Sequence, residues 1–337
     1  MKKVKINDIA KAAGVSIATV SRVLNGSGKV KEETRNKVTK IALKMGYHIN
    51  TIKNNIKISS KIILMLIPDF YNPFTSTVIS GVLDSLNLHG YKAVFASTKN
   101  FENNFEDYYK FCQSLSLAGI ISLDSNAIQG NNIINGLSQN FPMVMCSEYP
   151  ENNELSFVSI DDKKAAKSAT EYLLSLGRKK IALINSSINN KYARHRQKGF
   201  VETLKLHNIQ IEKSWILNLT TIDYDLAYTN VKSLVSQENR PNAIFAVSDI
   251  YAVASVNAVK SLGLRVPEDI SVIGFDNESV SKMSSPSITT ISQPSYDIGF
   301  QSSELLIDLI HGNLEQQKSI IFDTDLIVRK STCKLLT

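Results

Sequence analysis

The residues best suited to recognition chemistry form a short stretch near the N-terminus, IATVSRVLN, at positions 17–25. On a helix, at 100° per residue, Val20, Val23 and Leu24 share one apolar face. A separate face carries Ile17, Ala18, Ser21, Arg22 and Asn25. Arginine can donate to guanine O6 and N7, and small apolar groups can contact a thymine methyl. The stretch therefore predicts a helix that packs with one face and reads DNA bases with the other.

Two further helices should present this one to DNA. A first helix has apolar residues at i, i+3, i+4 and i+7, namely Ile6, Ile9, Ala10 and Ala13. Gly14 is suited to end it, and Ser16 is suited to cap the helix that follows. A third helix over positions 32–45 places Val38, Ile41, Ala42 and Met45 on one face. The pattern is that of a helix-turn-helix head. In it Ile17, Ala18 and Arg22 are expected on base edges, and Ser16, Thr19 and Ser21 mostly on phosphate.

An amphipathic hairpin with no role in DNA binding would show the same periodicity, so charge has to decide between the two. Residues 1–61 hold 14 Lys or Arg and three acids, a net charge of +11, whereas the whole chain is +7. A basic head on a mildly acidic body is what a domain that neutralises phosphates requires. Charge therefore favours the DNA-binding interpretation.

Composition sets limits on the rest of the chain. At 337 residues, with 43% hydrophobic and 20% charged residues, we expect a globular protein of more than one domain. The sequence has no apolar run of 18 residues and no signal-peptide core, which predicts a cytoplasmic location with no membrane contact. Three scattered cysteines without a CxxC pair predict small core residues, no metal site and no cofactor.

After a polar, basic linker at 47–61, strand patterns alternate with helix patterns. Apolar strand runs begin with KIILMLIP and recur at 92–96, 119–123, 143–146, 181–184, 243–247 and 270–274. Amphipathic helix patterns lie between most of them, at 75–88, 163–176, 198–206 and 251–262. This alternation predicts parallel sheets with helices on both faces, divided between two stacked α/β lobes. A ligand would then bind in the cleft at the carboxyl ends of the strands.

An α/β chain of this kind could also be an enzyme. Its candidate groups are Asp69, Glu148, Asp276 and five histidines, of which four fall in predicted helices or at their ends. The sequence contains no GxSxG, Walker loop, GxGxxG or HExxH motif. These absences favour a binding protein over an enzyme.

A set of motifs runs in order along nearly the whole chain. The head has INDIAKAAGVS, ATVSRVLN and ETR, and the remainder has IPDFYNPF, LGRKKIALI, ARHRQKGF, LGLRVPEDISVIGFDN and PSITTISQP. From residue 4 to about residue 332, the chain resembles the LacI/GalR-type family of bacterial transcription regulators. The resemblance implies a ligand-responsive repressor that binds a near-palindromic, double-stranded operator as a homodimer.

The family pattern also implies a domain organisation. The DNA-binding head would occupy 1–47, a hinge 48–60, and an effector-binding and dimerisation core 61–337 with a periplasmic-binding-protein-like fold. The N-lobe would take about 61–160 and 294–322, and the C-lobe about 163–290 and 325–337. In the hinge, Asn50 and the minor-groove wedge Ile56 would contact DNA. The hinge departs from the family, which has Pro-Asn at 49–50 and usually Leu at 56, and its β-branched residues disfavour helix.

For the effector cleft, the family pattern carries over to Asp69, Phe74, Arg196, Ser248, Asp249 and Asp276. Asp276 and Arg196 can bind adjacent hydroxyls, and Phe74 can stack on a ring, which implies a sugar-like effector. As alternatives, Phe74 could be core and Asp249 a helix N-cap. A nucleoside remains the other candidate effector, because residues 142–162, PMVMCSEYPENNELSFVSIDD, are similar to the matching stretch of the cytidine repressor.

Overall fold

The computed structural model describes residues 5–24, 30–44, 61–98, 105–125, 133–151, 155–314 and 316–335. The chain divides into two compact units, 1–60 and 61–337. The hinge residues Asn50 and Ile56, and Asn25 of the head, lie outside the described residues. The predictions for these three residues therefore remain predictions.

The first unit has the three helices that the sequence predicts: α1 (Ile6–Ala13), α2 (Ile17–Leu24) and α3 (Glu32–Lys44). Its small core is made by the apolar faces of all three: Ile9, Ala10, Ala13, Val20, Val23, Leu24, Val38 and Ala42. Gly14 ends α1 in the left-handed conformation, with φ 66°. Lys5 precedes α1 and cannot cap it with its side chain, but Asp8 accepts a hydrogen bond from the backbone N–H of Lys5 at 2.9 Å. The turn between α1 and α2 thus follows directly from the sequence.

The second unit contains two six-stranded sheets. The N-lobe sheet has strands β1 (Ile62–Ile67), β2 (Lys92–Ser97), β3 (Gly119–Ser122), β4 (Met143–Cys146), β5 (Ser156–Ile160) and β11 (Ser319–Phe322), in the order β11-β5-β4-β3-β1-β2. The C-lobe sheet has β6 (Ile181–Asn185), β7 (Ile216–Asn218), β8 (Ala243–Ala246), β9 (Ser271–Asp276), β10 (Thr289–Ser292) and β12 (Asp325–Ile327), in the order β12-β10-β9-β8-β6-β7. The pairings are parallel except for β12, which runs antiparallel to β10. The predicted fold class, two parallel α/β lobes, is confirmed.

Helices belong to each lobe. Those of the N-lobe are α4 (Pro73–Leu88), α5 (Phe105–Ser114), α6 (Ile133–Asn140) and α12 (Ser295–His311). Those of the C-lobe are α7 (Asp162–Ser175), α8 (Lys191–Leu206), α9 (Tyr224–Val235), α10 (Asp249–Ser261) and α11 (Ser279–Met283). The chain passes between the lobes three times, after β5, after β10 and after β11.

Helix α8 begins seven residues before the pattern predicted, at Lys191 instead of position 198. The pattern missed the start of α8 because some of its buried residues are charged. Two of the buried side chains in its first half are charged, Lys191 at 1% exposure and Arg196 at 5%. A search for apolar periodicity does not count such residues, although they face the interior. The early start places Arg196 inside a helix, where its direction is fixed.

Candidate functional site

A cavity of about 470 Å³ lies at the carboxyl ends of the strands of both lobes. Its N-lobe lining follows β1 to β4: Pro68, Asp69, Asn72, Phe74, Thr75, Thr98, Leu123, Asp124, Ser147 and Glu148. Its C-lobe lining follows β6 to β10: Ser186, Asn190, Tyr192, Arg196, Thr220, Thr221, Ile222, Val247, Ser248, Asp276 and Gln293. The volume suits a molecule of the size of a sugar or a nucleoside.

Arg196 is fixed by contacts that use three of its N–H groups. Its Nε and Nη2 lie 2.9 Å from Asp162 Oδ1, and its Nη1 donates to the carbonyl of Val247 at 2.7 Å. The guanidinium lies 3.5 Å from the ring centre of Phe275. Close packing of α7 and α8 makes this possible, because a Cβ on Gly199 would lie 2.4 Å from the Lys163 carbonyl. These contacts hold the guanidinium of Arg196 at the cavity in one orientation.

Asp276 ends β9 opposite Arg196. Its Oδ1 lies 4.0 Å from Arg196 Nη1 and accepts a hydrogen bond from Gln293 Nε2 at 2.6 Å. Burial raises the pKa of Asp276 well above its ordinary value, against the lowering effect of Arg196. Among the described residues, Gln293 Oε1 is buried with no hydrogen-bond partner. The C-lobe wall thus offers a buried carboxyl group and a free amide oxygen beside a guanidinium, which can bind hydroxyl groups.

The N-lobe wall is built from the loops after its strands. Asp69 Oδ1 accepts from the backbone N–H of Tyr71 at 2.9 Å, and Asn72 caps α4 by accepting from Phe74 N at 3.1 Å. Pro73 then occupies the first turn of α4, a position it tolerates well. This cap holds the half-buried Phe74 ring at the cavity. Deeper in the wall, Thr98 donates to Asp124.

Five of the six predicted effector residues line the cavity: Asp69, Phe74, Arg196, Ser248 and Asp276. Asp249, the sixth, lies outside the lining and is 1% exposed. It accepts from Thr290 Oγ1 and from Glu278 N, each at 2.7 Å, and burial raises its pKa to about 7. The N-cap of α10 is Ser248, which accepts from Tyr251 N at 3.2 Å. Asp249 is therefore the first residue of the helix and contacts the strands behind the cavity.

Some lining residues were not predicted as effector residues. Glu148 appeared in the sequence only as a candidate enzyme group, and Tyr192, Asn190, Thr98, Asp124 and Gln293 were not singled out. All of them follow a strand within seven residues. That position is the only signal in the sequence that could have identified them.

The exposed face of α2 is the second candidate site. Ile17 is 53% exposed, and Ala18 and Arg22 are exposed as well, while the opposite face is buried. Ser16 Oγ accepts from Thr19 N at 3.1 Å and lies 2.8 Å from the Thr19 hydroxyl. Ser16 therefore caps α2, and the predicted reading face is available for DNA.

Within the ranges that the structure describes, no three His, Cys, Asp or Glu side chains are grouped so as to hold a metal ion. No helix among those same residues combines the length and apolar character needed to cross a membrane.

Comparison with known proteins identifies the family of this chain. Residues 5–50 match the bacterial regulatory proteins of the lacI family, and residues 170–332 match a periplasmic binding protein-like domain. The transcriptional repressor CytR of Escherichia coli (strain K12) is 32% identical over 328 residues, which cover 97% of this chain and 96% of CytR. The chain belongs to the LacI family. This family consists of transcriptional regulators, which are not enzymes, and the chain is accordingly a DNA-binding transcriptional regulator.

Solved structures of family members agree in fold. A complex of the regulator CelR with cellobiose is 25% identical, with a TM-score of 0.73, and covers 97% of this chain and 99% of CelR. A LacI-family regulator from Enterococcus faecium with bound ribose is 26% identical, also with a TM-score of 0.73, and covers 82% of this chain and all of that one.

Proposed function

We propose that this regulator binds a small, uncharged, hydroxyl-rich molecule in the cavity between its lobes, and that binding changes its affinity for operator DNA. The molecule is a sugar, and a nucleoside is the second candidate. The protein acts in the cytoplasm as a homodimer, with two heads on the half-sites of a near-palindromic operator.

The proposal that the ligand is uncharged rests on the charged residues that line the cavity. In the described part of the chain, its lining holds four acids, Asp69, Asp124, Glu148 and Asp276, and a single cation, Arg196. Asp162 already pairs with Arg196. The parts of the N-lobe outside the description, 99–104, 126–132, 152–154 and 315, contain one lysine and three glutamates in sequence. A phosphate group would therefore find no cation in the described lining that is not already paired with a carboxylate.

Hydroxyl groups, in contrast, can form hydrogen bonds with the polar groups of the lining. Carboxylates and amide oxygens accept from hydroxyls, and the guanidinium of Arg196 can donate to them. Phe74 and Tyr192 can contact a ring face. CelR binds cellobiose and the Enterococcus faecium regulator binds ribose, so the same fold holds neutral sugars in two relatives.

The nucleoside candidate rests on a narrower observation. The stretch at 142–162, which is similar to the cytidine repressor, supplies Ser147 and Glu148 to the lining. A nucleoside shares a hydroxylated ring with a sugar and adds a base. A thermal-shift screen with both kinds of compound distinguishes a nucleoside from a sugar.

A thermal-shift screen tests the proposal with matched pairs: ribose with ribose 5-phosphate, glucose with glucose 6-phosphate, and cytidine with cytidine monophosphate, together with cellobiose. A ligand at 100 times its dissociation constant adds about 2.7 kcal/mol to the free energy of unfolding. We expect a neutral member to raise the melting temperature and its phosphate ester to bind at least about 100-fold more weakly. Tighter binding of a phosphate ester would contradict the proposal.

For the head, we propose base contacts by Ile17, Ala18 and Arg22, phosphate contacts mostly by Ser16, Thr19 and Ser21, and a DNA contact by Asn25. Arg22→Ala should reduce the preference at one base pair by roughly 1–3 kcal/mol. Operator variants with single base changes, measured by fluorescence anisotropy, would show this. An equal loss of affinity for every DNA sequence would assign Arg22 to phosphate instead.

In the hinge, we propose that Asn50 contacts DNA and that Ile56 wedges the minor groove. Ile56→Ala should weaken operator binding several-fold, and Ile56→Leu should tighten it because leucine favours helix more. Effector affinity serves as the control and should not change in either variant.

A further inference from the structure

One segment of the N-lobe and the first turns of α8 in the C-lobe exchange contacts beside the cavity. We call this set the clasp. Its N-lobe members are Ser147, Glu148 and Glu151, and its C-lobe members are Lys191, Tyr192, Arg194 and His195.

The inner part of the clasp is a carboxylate of one lobe bound to a helix terminus of the other. Glu148 Oε2 accepts from Lys191 N, and its Oε1 accepts from Tyr192 N, each at 3.0 Å. N–H groups in the first turn of a helix have no acceptor within the helix. The preceding residue, Asn190, makes no side-chain cap. Glu148 therefore supplies the cap that α8 would otherwise lack, and it does so from the opposite lobe.

The side chain of Lys191 makes the reciprocal contact. Its ammonium lies 3.0 Å from Asp162 in its own lobe and donates to the Ser147 carbonyl at 3.4 Å across the cleft. It also donates to Ser159 Oγ of β5 at 3.3 Å and lies 4.1 Å from the ring centre of Tyr149. A cation that forms an ion pair in the C-lobe thus also contacts three groups of the N-lobe.

The outer part of the clasp lies beyond the cavity lining. Glu151 Oε2 is 2.9 Å from Arg194 Nη2, and Glu151 Oε1 is 2.6 Å from His195 Nε2. Hydrogen bonds from His195 and Arg194 lower the pKa of Glu151, so it is ionised at neutral pH. None of these three residues lines the cavity.

We propose that the clasp holds the two lobes together before any effector binds, and that Glu151 is a positioning residue that controls closure of the cavity without touching the effector. All partners in the clasp are protein groups, and none of its contacts uses an atom of an effector. Closure matters because a ligand held by both lobes binds with an apparent affinity scaled by the closed fraction. This consequence rests on the proposed function, whereas the clasp itself does not.

Amide hydrogen exchange on the full-length protein without added ligand tests the proposal, with electron-transfer fragmentation to resolve single residues. The amides of Lys191 and Tyr192 report directly, because their acceptor is Glu148 of the other lobe. We expect both to exchange more slowly than in an unstructured peptide of the same sequence. Glu151→Gln should speed their exchange by roughly two- to fivefold, as expected for a partly exposed ion pair.

Glu202→Gln is the matched control. Glu202 also lies on α8 and forms an ion pair at 2.6 Å, but its partner, Lys163, belongs to the same lobe. This variant should leave exchange at Lys191 and Tyr192 unchanged. Unprotected amides in the wild-type protein would overturn the proposal, as would equal effects of the two variants. Since no effector is added, such a failure would leave the proposed function standing.

Discussion

The two walls of the cavity are built differently. Behind the C-lobe wall, Asp162 pairs with both Lys191 and the lining residue Arg196, and all three are at most 5% exposed. On the N-lobe wall, Asp69 and Asn72 accept from backbone amides two residues away and are partly exposed. The ion-pair cluster around Asp162 therefore behaves as one preorganised unit, whereas Asp69 and Asn72 of the N-lobe wall can be changed singly. The difference predicts which substitutions damage the fold and which affect only binding.

The largest effect is expected at Asp162. Asp162→Asn would leave two buried cations, Lys191 and Arg196, without their shared partner, and breaking a buried ion pair costs about 3–5 kcal/mol. Asp69→Asn on the other wall should stay within about 0.5 kcal/mol of wild type. Urea unfolding of both variants measures the contrast. A loss below about 1 kcal/mol for Asp162→Asn would show that the ion-pair cluster around Asp162 is not a coupled unit.

The buried acid behind that wall predicts a pH dependence. Burial raises the pKa of Asp249 to about 7, so the folded protein binds this proton more tightly than the unfolded chain does. The stabilisation is therefore complete at low pH and is lost as pH rises through the window from about 4 to about 7, by at most about 1.4 kcal/mol per pH unit.

The variant Asp249→Asn isolates this contribution. Because the asparagine cannot titrate, the unfolding free energy of wild type minus that of the variant should fall between pH 5 and pH 7 and level off above. Urea unfolding at a series of pH values gives this difference. A flat difference would mean that Asp249 keeps an ordinary pKa.

The smallest effect is expected on the N-lobe wall. Phe74→Leu keeps an apolar side chain but removes the ring face, so effector affinity should fall roughly two- to tenfold. The unfolding free energy should change by less than about 1.5 kcal/mol. Isothermal titration with the compound that gives the largest thermal shift measures the affinity. An unchanged affinity would assign Phe74 to the core, the alternative that the sequence left open.

The sequence predicts features that depend on neighbouring residues better than features that depend on distant contacts. The helix-turn-helix head follows local rules, since Gly14 ends α1, Ser16 caps α2 and the buried faces repeat with helical period. Long apolar strands such as β1 are equally plain. Short strands such as β7 and β12, three residues each, escaped notice because pairing with neighbours defines them more than their own residues do.

Among the site residues, too, some were predicted from the sequence and others were not. Arg196 and Asp276 were predicted through family motifs, but the burial of Lys191 and the start of α8 were not, because charged interior residues depend on partners far away in sequence. Asp162, the partner of both cations, lies 29 and 34 positions before them. Asp249 contacts Thr290 outside the cavity lining and its neighbour Ser248 is the N-cap, because adjacent residues at a helix start face different neighbours.

The central claim is tested most directly by measuring operator binding by wild type and by Asp276→Asn. Each protein is measured with and without the compound that stabilises the wild-type protein. The substitution keeps the shape of the side chain, but it replaces one carboxyl oxygen, which can accept from a ligand hydroxyl, with an amide NH2 group that can only donate. Fluorescence anisotropy should show that both proteins bind operator equally without the compound, and that only the wild-type affinity changes when it is added. An Asp276→Asn protein that responds like wild type would contradict the account.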